Sequence, residues 1–532
     1  MAVKIVLAIV FICVVLWLGY KGWRRDREAG DYLLAGRQAN PLLMALSYGA
    51  TFISTAAIIG FGGAAGAFGL PLLWLTVLNI FVGIFIAMTV FGKRTRRMGV
   101  ALDAHTFPEL LGRRYQSRFV QGFAGLLIFL FLPIYSAAVL IGVARFIEVN
   151  LGLNYSWAIF FFMALMAAYV IAGGLKSVLY TDAFQSVLVF LMMLGLFLFT
   201  YVKLGGFTAA HQALGDLAAK VPAELKAQGM QGWTQGLAAG SPLWLMVYTT
   251  FVYAVGIGVL AQPQLVVRYM SQESDRSLNR AVLLGGVFTL CMTGVAFLVG
   301  ALSNVFFVQQ TGQVAYTLAE GNIDRIIPLF VTNILPGWFG VLFLLAMMAA
   351  AVSTLGSHFH VGGASLGRDF YERGLGSAGQ GEVAVTRLGV GVTILATLIW
   401  GLVLPPSIIA RATAFFFGLC ASVFLPAYFL GLYWKGMTKT GAVVSMLGGA
   451  AVSFFLTAFV HVKESAALGL CRSMFGVDSL AAGAADGSLT AALQYTDPNL
   501  IALPAALALA VLVSLAGPKP AAAHVELCWR HL

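Results

Sequence analysis

Charge is scarce in this chain of 532 residues: only 10% are Asp, Glu, Lys or Arg. A soluble protein of ordinary composition carries about 25%. That shortage excludes a water-soluble globular enzyme or binding domain. Acid is scarcer than base, 21 residues against 32, which leaves a formal charge of +11. Cysteine is sparse too. The five residues Cys13, Cys291, Cys420, Cys471 and Cys528 are scattered without any CxxC spacing, so neither a disulfide framework nor a metal site is indicated. Also missing are HExxH, GxSxG, a Gly-rich phosphate loop and paired carboxylates on a common face. The sequence gives no ground for an enzyme or an ATP-driven pump.

What is present is apolar: 60% of residues are hydrophobic and the mean hydropathy is +0.90. Long apolar runs recur from end to end, which implies an all-α polytopic membrane protein. The runs are continuous rather than alternating, which excludes a β-barrel. Thirteen spans are expected, near 3–20, 40–69, 72–93, 119–149, 154–174, 178–203, 241–263, 280–306, 337–364, 384–404, 406–433, 438–461 and 499–517. Basic residues fall in the short loops "KGWRRDREAG", "GKRTRRMG", "GRRYQSR", "VRYMSQESDRSLNR" and "GRDFYERG". Their clustering on one side is an orientation signal, not a nucleic-acid footprint. It places the protein in a bacterial-type inner membrane, with the N-terminus outside and the C-terminus in the cytoplasm. The first run has the apolar core of a signal peptide, but its basic cluster follows that core, so a retained span is expected. The outer face then takes the loops 204–240, 307–336 and 462–498. The first has the periodicity of an amphipathic external helix. The Ala/Gly-rich composition of 462–498 predicts a mobile loop.

Two spans are poor membrane helices. Met44–Pro71 carries Ser47, Thr51, Ser54 and Thr55 at mid-membrane and then a Gly-rich tail. Ser241–Met270 carries Tyr248, Thr249, Thr250 and Tyr253, then Gly256, Gly258 and Pro263. They are the second and seventh spans, five apart. Interrupted segments at matching places in two halves point to an inverted-repeat transporter. Unwound backbone at membrane depth is tolerated where it lines a cavity, and its carbonyls can replace the water shell of a cation. The expected division is an extra span and loop at 1–39, a first repeat at 40–205 and an external loop at 206–240. A second repeat follows at 241–433, and two further spans and a tail at 434–532.

Four stretches resemble motifs of the sodium/solute symporter family, the relatives of the proline, pantothenate, monocarboxylate, sialic acid and sugar symporters. They are "DYLLAGR" before the second span, "AGGLKSVLYTDAFQSVLVF" across the fifth and sixth, "QPQLVVRYM" after the seventh, and "AAAVSTLGSHFHVGGASLGRDFY" in the ninth. The resemblance covers nearly the whole chain. It implies a LeuT-like five-plus-five inverted repeat and sodium as the coupling ion, with no organic cofactor. It also implies a sodium site between the second and ninth spans. Carried over by position, its ligands are Ala50, Ile53, Ala350, Ser353 and Thr354. Neutral oxygens suit a hard cation that must also be released. Ser353 and Thr354 are neighbours on a helix, one turn beyond the Ala350 carbonyl. Without the resemblance, helix–helix hydrogen bonding or back-bonding to the preceding turn would be the better account of these hydroxyls. Some relatives place a second sodium beside the residue matching Asp182. Here Ser353 and Ser357 would face it, but Gly356 stands where a further hydroxyl is needed, so Asp182 and Ser357 belong to ion exit or to an incomplete second site.

The implied cargo is a small solute bound near the two breaks, with membrane lipid as the surroundings, no nucleic-acid partner and a single chain as the working unit. Candidate lining residues are Thr51, Phe52, Ser54, Thr55, Tyr248, Thr249, Tyr253 and Arg411. Phe52 stands where the proline symporters carry an Asp. Arg411 is the one strong charge in the eleventh span, either an anchor for a substrate carboxylate or a residue snorkelling to the outer face. Together these favour an organic anion such as a monocarboxylate or pantothenate. Arg145 has the same two readings. His358 and His360 in the inner half of the ninth span pack in the core or line a wet cytoplasmic vestibule, with protonation switching as the other reading. Two alternatives remain open: a proton-coupled or facilitative carrier of the same fold, and a membrane solute sensor. The short tail "GPKPAAAHVELCWRHL" leaves no room for a signalling domain.

Overall fold

The structure is a computed structural model that describes residues 2–23, 34, 41–52, 54–170, 175–376, 382–485, 487–530 and 532. Among the described residues, ten helices are long and apolar enough to cross a membrane. They cover ten of the thirteen expected spans. The first, second and fifth expected spans coincide with the shorter apolar helices Val6–Trp17, Ala56–Phe68 and Tyr155–Ala168. The expected number is therefore met only when the short helices are included.

Local chemistry sets the helix ends. Ser117, Ser241 and Thr438 accept hydrogen bonds from Val120 N, Trp244 N and Gly441 N at the starts of the fourth, seventh and twelfth spans. Gly152 and Gly312, both with positive φ, close the fourth and eighth. The ninth span, Gly337–Ala364, runs on in wider π-type turns to Gly374, and 94% of its most apolar window is buried inside the protein. It packs on the fourth, sixth and tenth spans and on the first half of the second. Its polar residues thus face protein and not lipid. The thirteenth span is the opposite case, 28% buried and packed mainly on the twelfth. Exposed Trp74, Phe81, Leu191, Leu198, Val287, Leu395 and Leu512 provide the apolar surface that a bilayer demands.

Both suspect spans are broken. In the second, the helix Pro41–Phe52 stops, and helix resumes through the π-type turns Ala56–Phe61 and Gly62–Phe68. In the seventh, Gln262 is extended (φ −71°, ψ 120°) and Pro263 opens the helix Pro263–Met270. Proline has no N–H to give the preceding turn and disfavours helix in the residue before it, so the break falls where the sequence places Pro263. Just before it, a Cβ on Gly258 would lie 2.1 Å from Phe417 O, so only glycine lets the seventh span touch the eleventh.

Three loop expectations change. The segment 204–240 is not one amphipathic helix but the short helices Phe207–Asp216, Leu217–Lys220 and Ala223–Ala227, followed by the buried Trp233. Trp233 donates from Nε1 to Gly66 O (2.8 Å), and its own carbonyl accepts from Leu70 N (2.8 Å). The loop 462–498 folds into Val462–Leu468, Leu470–Phe475 and Leu489–Leu493. Bonds from Leu480 N to Phe459 O (2.7 Å) and from Ser479 Oγ to Val460 O (2.6 Å) fasten it down. Of the basic stretch "VRYMSQESDRSLNR", only residues 271–274 lie between helices, and its first arginine is inside the protein.

Candidate ion and solute site

The second span stops at Phe52, so the carbonyls of its last turn lose their helical partners. One of them, Ala50 O, meets the ninth span: Thr354 Oγ1 donates to it at 3.4 Å. Ala50, Ala350, Ser353 and Thr354 are all buried. Ser353 Oγ lies beside Asp182 and has no hydrogen-bond partner at bonding distance among the described residues. An orphaned buried hydroxyl costs about 1–3 kcal/mol, a debt a coordinated cation removes. Ile53 falls outside the described residues. The side chain of Phe52 is likewise undescribed, though its backbone ends the helix.

Next to this pair lies a second cluster, centred on a residue that the sequence reading counts as a loop charge. Arg268 is 1% exposed. Its Nη2 lies 3.0 Å from Asp182 Oδ2, 2.8 Å from Ser357 Oγ and 2.5 Å from Thr51 Oγ1. Its Nε donates to Ser47 Oγ (3.2 Å) and its Nη1 to Gln264 O (2.8 Å). Ser47 Oγ donates to Asp182 Oδ2 at 2.6 Å. Thr51 Oγ1 and Ser357 Oγ are 3.2 Å apart. Four spans thus converge: the second, sixth, seventh and ninth. The available signal was helical spacing, since Gln264 and Arg268 are one turn apart on a helix begun by Pro263.

Between the breaks sits a small cavity of about 20 Å³, room for roughly one water molecule. Ser54, Asn79, Tyr135, Thr293 and Thr413 supply polar groups; Phe61, Phe297 and Phe417 supply aromatic walls; no lining side chain is charged. Asn79 Oδ1 has no hydrogen-bond partner among the described residues. Tyr135 packs on the His358 ring, centroids 4.5 Å apart, and His358 Nδ1 pairs with Ser136 Oγ at 3.0 Å.

Of the seven substrate candidates whose side chains are described, Ser54 alone lines this cavity. Thr51 belongs to the Arg268 cluster. Thr55 Oγ1 donates to Val139 O at 2.6 Å. Thr249 Oγ1 donates to Leu245 O one turn back in its own helix (2.6 Å) and accepts from Asp497 N at the end of the outer loop (2.8 Å). Tyr248 packs on Trp244, and Tyr253 is half-buried elsewhere. Arg411 lines a separate small pocket with Met246, Thr250, His461, Lys463 and Glu464. Arg145 pairs with Glu148 (2.8 Å) over the Tyr155 ring. His360 faces His105, Thr106 and Val267 on the basic-loop side.

That side is latched. The short helix Phe107–Arg114 presents Glu109, which meets Arg368 at 3.1 Å and Arg113 at 2.7 Å. Burial alone would raise the Glu109 carboxyl, but the hydrogen bond from His105 and the charges of Arg368 and Arg113 outweigh it and hold it at about 2. Asp369 Oδ1 accepts from Thr106 Oγ1 and Gln121 Nε2, each at 2.8 Å. Beyond the latch a cavity of about 600 Å³ opens, lined in part by Arg113, Arg118, Glu372 and Arg373.

Known proteins match this arrangement. A profile of the sodium:solute symporter family covers residues 32–449. The sodium/proline symporter 2 of Staphylococcus saprophyticus is 27% identical over 491 residues, 90% of this chain and 89% of that protein. The sodium/proline symporter of Staphylococcus aureus is 26% identical over 485 residues, 86% and 87% of the two chains. Among solved structures, a sodium-coupled sialic acid symporter in a substrate-bound outward-open state superposes with a TM-score of 0.74 at 17% identity, covering 97% of this chain and 98% of that one. MhsT in complex with L-phenylalanine gives 0.51 at 14%, covering 90% and 99%. The two structural likenesses show the fold, an all-helical membrane transporter of LeuT-like architecture.

Proposed function

Since the chain belongs to the sodium:solute symporter family, we propose that it couples sodium entry to uptake of a small, net-neutral solute. The observation that carries this reading is the cavity between the breaks, polar on several sides and without a charged side chain. An organic anion such as a monocarboxylate or pantothenate would bring an uncompensated charge there, because Arg411 lies at a different pocket. The reading therefore moves from the anion favoured by the sequence to a zwitterion, as in the relatives named sodium/proline symporters. Its carboxylate would face the opening turn of the second half-span at Ser54–Ala57, whose dipole favours negative charge. Asn79, Tyr135 and Thr293 would hold its ammonium and fix its orientation. Phe61, Phe297 and Phe417 would enclose its apolar body.

Sodium would bind first, between Ala50, Ile53, Ala350, Ser353 and Thr354, tying the break of the second span to the ninth. Solute then enters the cavity, which must widen from its one-water volume to admit it, and by linkage it must raise sodium affinity by the same factor as sodium raises its own. Release is to the basic-loop side, the cytoplasm in this orientation, once the Glu109–Arg368 latch parts. The repeats that rock are 40–205 and 241–433, and one chain suffices. The test is uptake into proteoliposomes of proline, other small amino acids, lactate and pantothenate, under a sodium gradient or in potassium at fixed pH. Sodium-dependent uptake of a zwitterion is expected. Uptake of lactate or pantothenate instead sinks the solute reading, and uptake undiminished in potassium sinks the sodium reading in favour of a proton-coupled or facilitative carrier.

A further inference from the structure

The cluster around Asp182 has the make-up of a cation seat: one carboxylate from the sixth span, two hydroxyls from the second and one from the ninth, all buried. We infer that the guanidinium of Arg268 is the permanent occupant of this seat, so that the chain binds one sodium ion and has no second site. The inference rests on the sodium reading above, and it concerns a different set of atoms.

Three observations support it. Four oxygens of the cluster are already engaged by Arg268: Asp182 Oδ2 at 3.0 Å, Ser357 Oγ at 2.8 Å, Thr51 Oγ1 at 2.5 Å and Ser47 Oγ at 3.2 Å. A sodium ion would have to take the same lone pairs. Next, what stays free is too little. Among the described residues Asp182 Oδ1 and Ser353 Oγ have no hydrogen-bond partner at bonding distance, but two oxygens fall short of the shell a hard cation needs. Position 356 is glycine and adds no hydroxyl. Last, like charges at this separation repel strongly in a buried setting, where water does not screen them. The guanidinium therefore both neutralises Asp182 and keeps a mobile cation from settling beside it. Its own position is fixed by the bond from Nη1 to Gln264 O one turn earlier (2.8 Å). Tethered on a helix that starts at the seventh-span break, it can neutralise Asp182 without being transported.

Equilibrium binding of radiolabelled sodium to the purified full chain in detergent tests this by counting ions. The wild type is expected to bind one sodium per chain. Arg268→Gln, which frees the carboxylate and three hydroxyls, is expected to bind two, and Arg268→Gln with Asp182→Asn to return to one. Arg268→Lys, which keeps a tethered charge, is expected to stay at one and guards against a Gln variant that fails to fold. Two ions on the wild type, or one on a folded Arg268→Gln, overturns the inference. The sodium reading fails by a different sign: Ser353→Ala and Thr354→Ala leave the wild-type count unchanged, or the wild type binds none. In that last case a single ion gained by Arg268→Gln still upholds the role of Arg268, and none gained removes it too.

Discussion

Thr354 and Ala50, 304 residues apart in sequence, share a hydrogen bond of 3.4 Å, from the threonine hydroxyl to the alanine carbonyl. The contact exists because one helix stops at Phe52 and another passes the stump without interruption. It makes the pair Ser353 and Thr354 the most direct place to test ion coupling.

Ser353→Ala is expected to separate stability from coupling. The hydroxyl has no hydrogen-bond partner at bonding distance among the described residues, so its removal should leave the melting temperature in potassium unchanged or slightly higher. The rise in melting temperature on adding sodium should shrink, and the sodium needed for half-maximal uptake should increase about tenfold or more, roughly 1.4 kcal/mol. An unchanged sodium response would remove Ser353 from the site.

The cavity residues should act on solute alone. Asn79→Ala and Tyr135→Phe each delete one polar contact to the bound solute, worth about 1.5 kcal/mol when a charged group is involved. Apparent solute affinity should fall about tenfold with sodium binding intact. Solute titrations at saturating sodium check this, and equal losses for both ligands would point to a damaged fold.

The latch on the basic face lends itself to a double-mutant cycle. Glu109 and Arg368 are each 2% exposed and lie 3.1 Å apart. Glu109→Gln should destabilise by about 3–5 kcal/mol, because it strips a carboxylate from a buried guanidinium. The double variant Glu109→Gln, Arg368→Met should lose less than the two single variants together. Thermal melting of the four proteins gives the coupling, and strict additivity would mean that the pair holds nothing shut.

On the opposite face Asp324 offers a pH signature. Its Oδ2 accepts from Ile408 N (3.0 Å) and Ile409 N (3.4 Å) at the start of the eleventh span. Burial pushes its carboxyl up to about 7, against the pull of those N–H groups and of Arg145. The folded state thus holds the proton more tightly than the unfolded chain. Stability is greatest below the ordinary carboxyl range and declines as pH rises toward about 7, by at most roughly 4 kcal/mol. Asp324→Asn should lack this decline. Melting curves of both proteins between about pH 5 and pH 8 decide it, parallel curves counting against the assignment.

Much of this architecture was legible in the sequence, for identifiable reasons. A membrane span announces itself by length and apolarity, and a break by Gly and Pro in a setting that punishes both, so the second and seventh spans stood out. The convergence of Asn79, Tyr135, Thr293 and Thr413 did not, because each is a lone polar residue in its own apolar run and only packing brings the four together. Arg268 was hidden by its neighbours. It precedes Arg276 and Arg280, which are exposed in the first turns of the next helix, and charge counting treats all three alike. The segment 462–498 misled in the other direction: Ala and Gly suggest mobility, yet small side chains are also what lets short helices fold tightly on one another.

The pairing of Arg268 with Asp182 also sets an order of events while the chain is being made. The two residues are 86 positions apart, so the sixth span leaves the ribosome with a bare carboxylate and waits for the seventh. Until Arg268 arrives, that helix carries an unneutralised charge that lipid tolerates poorly. Integration of the sixth span is therefore expected to become firmer once residue 268 has emerged. A nascent chain ended at residue 240 should integrate less firmly and be degraded faster than one ended at residue 275. Pulse-chase of the two truncated chains would show it, and equal lifetimes would mean that the sixth span finds another way to shelter its acid.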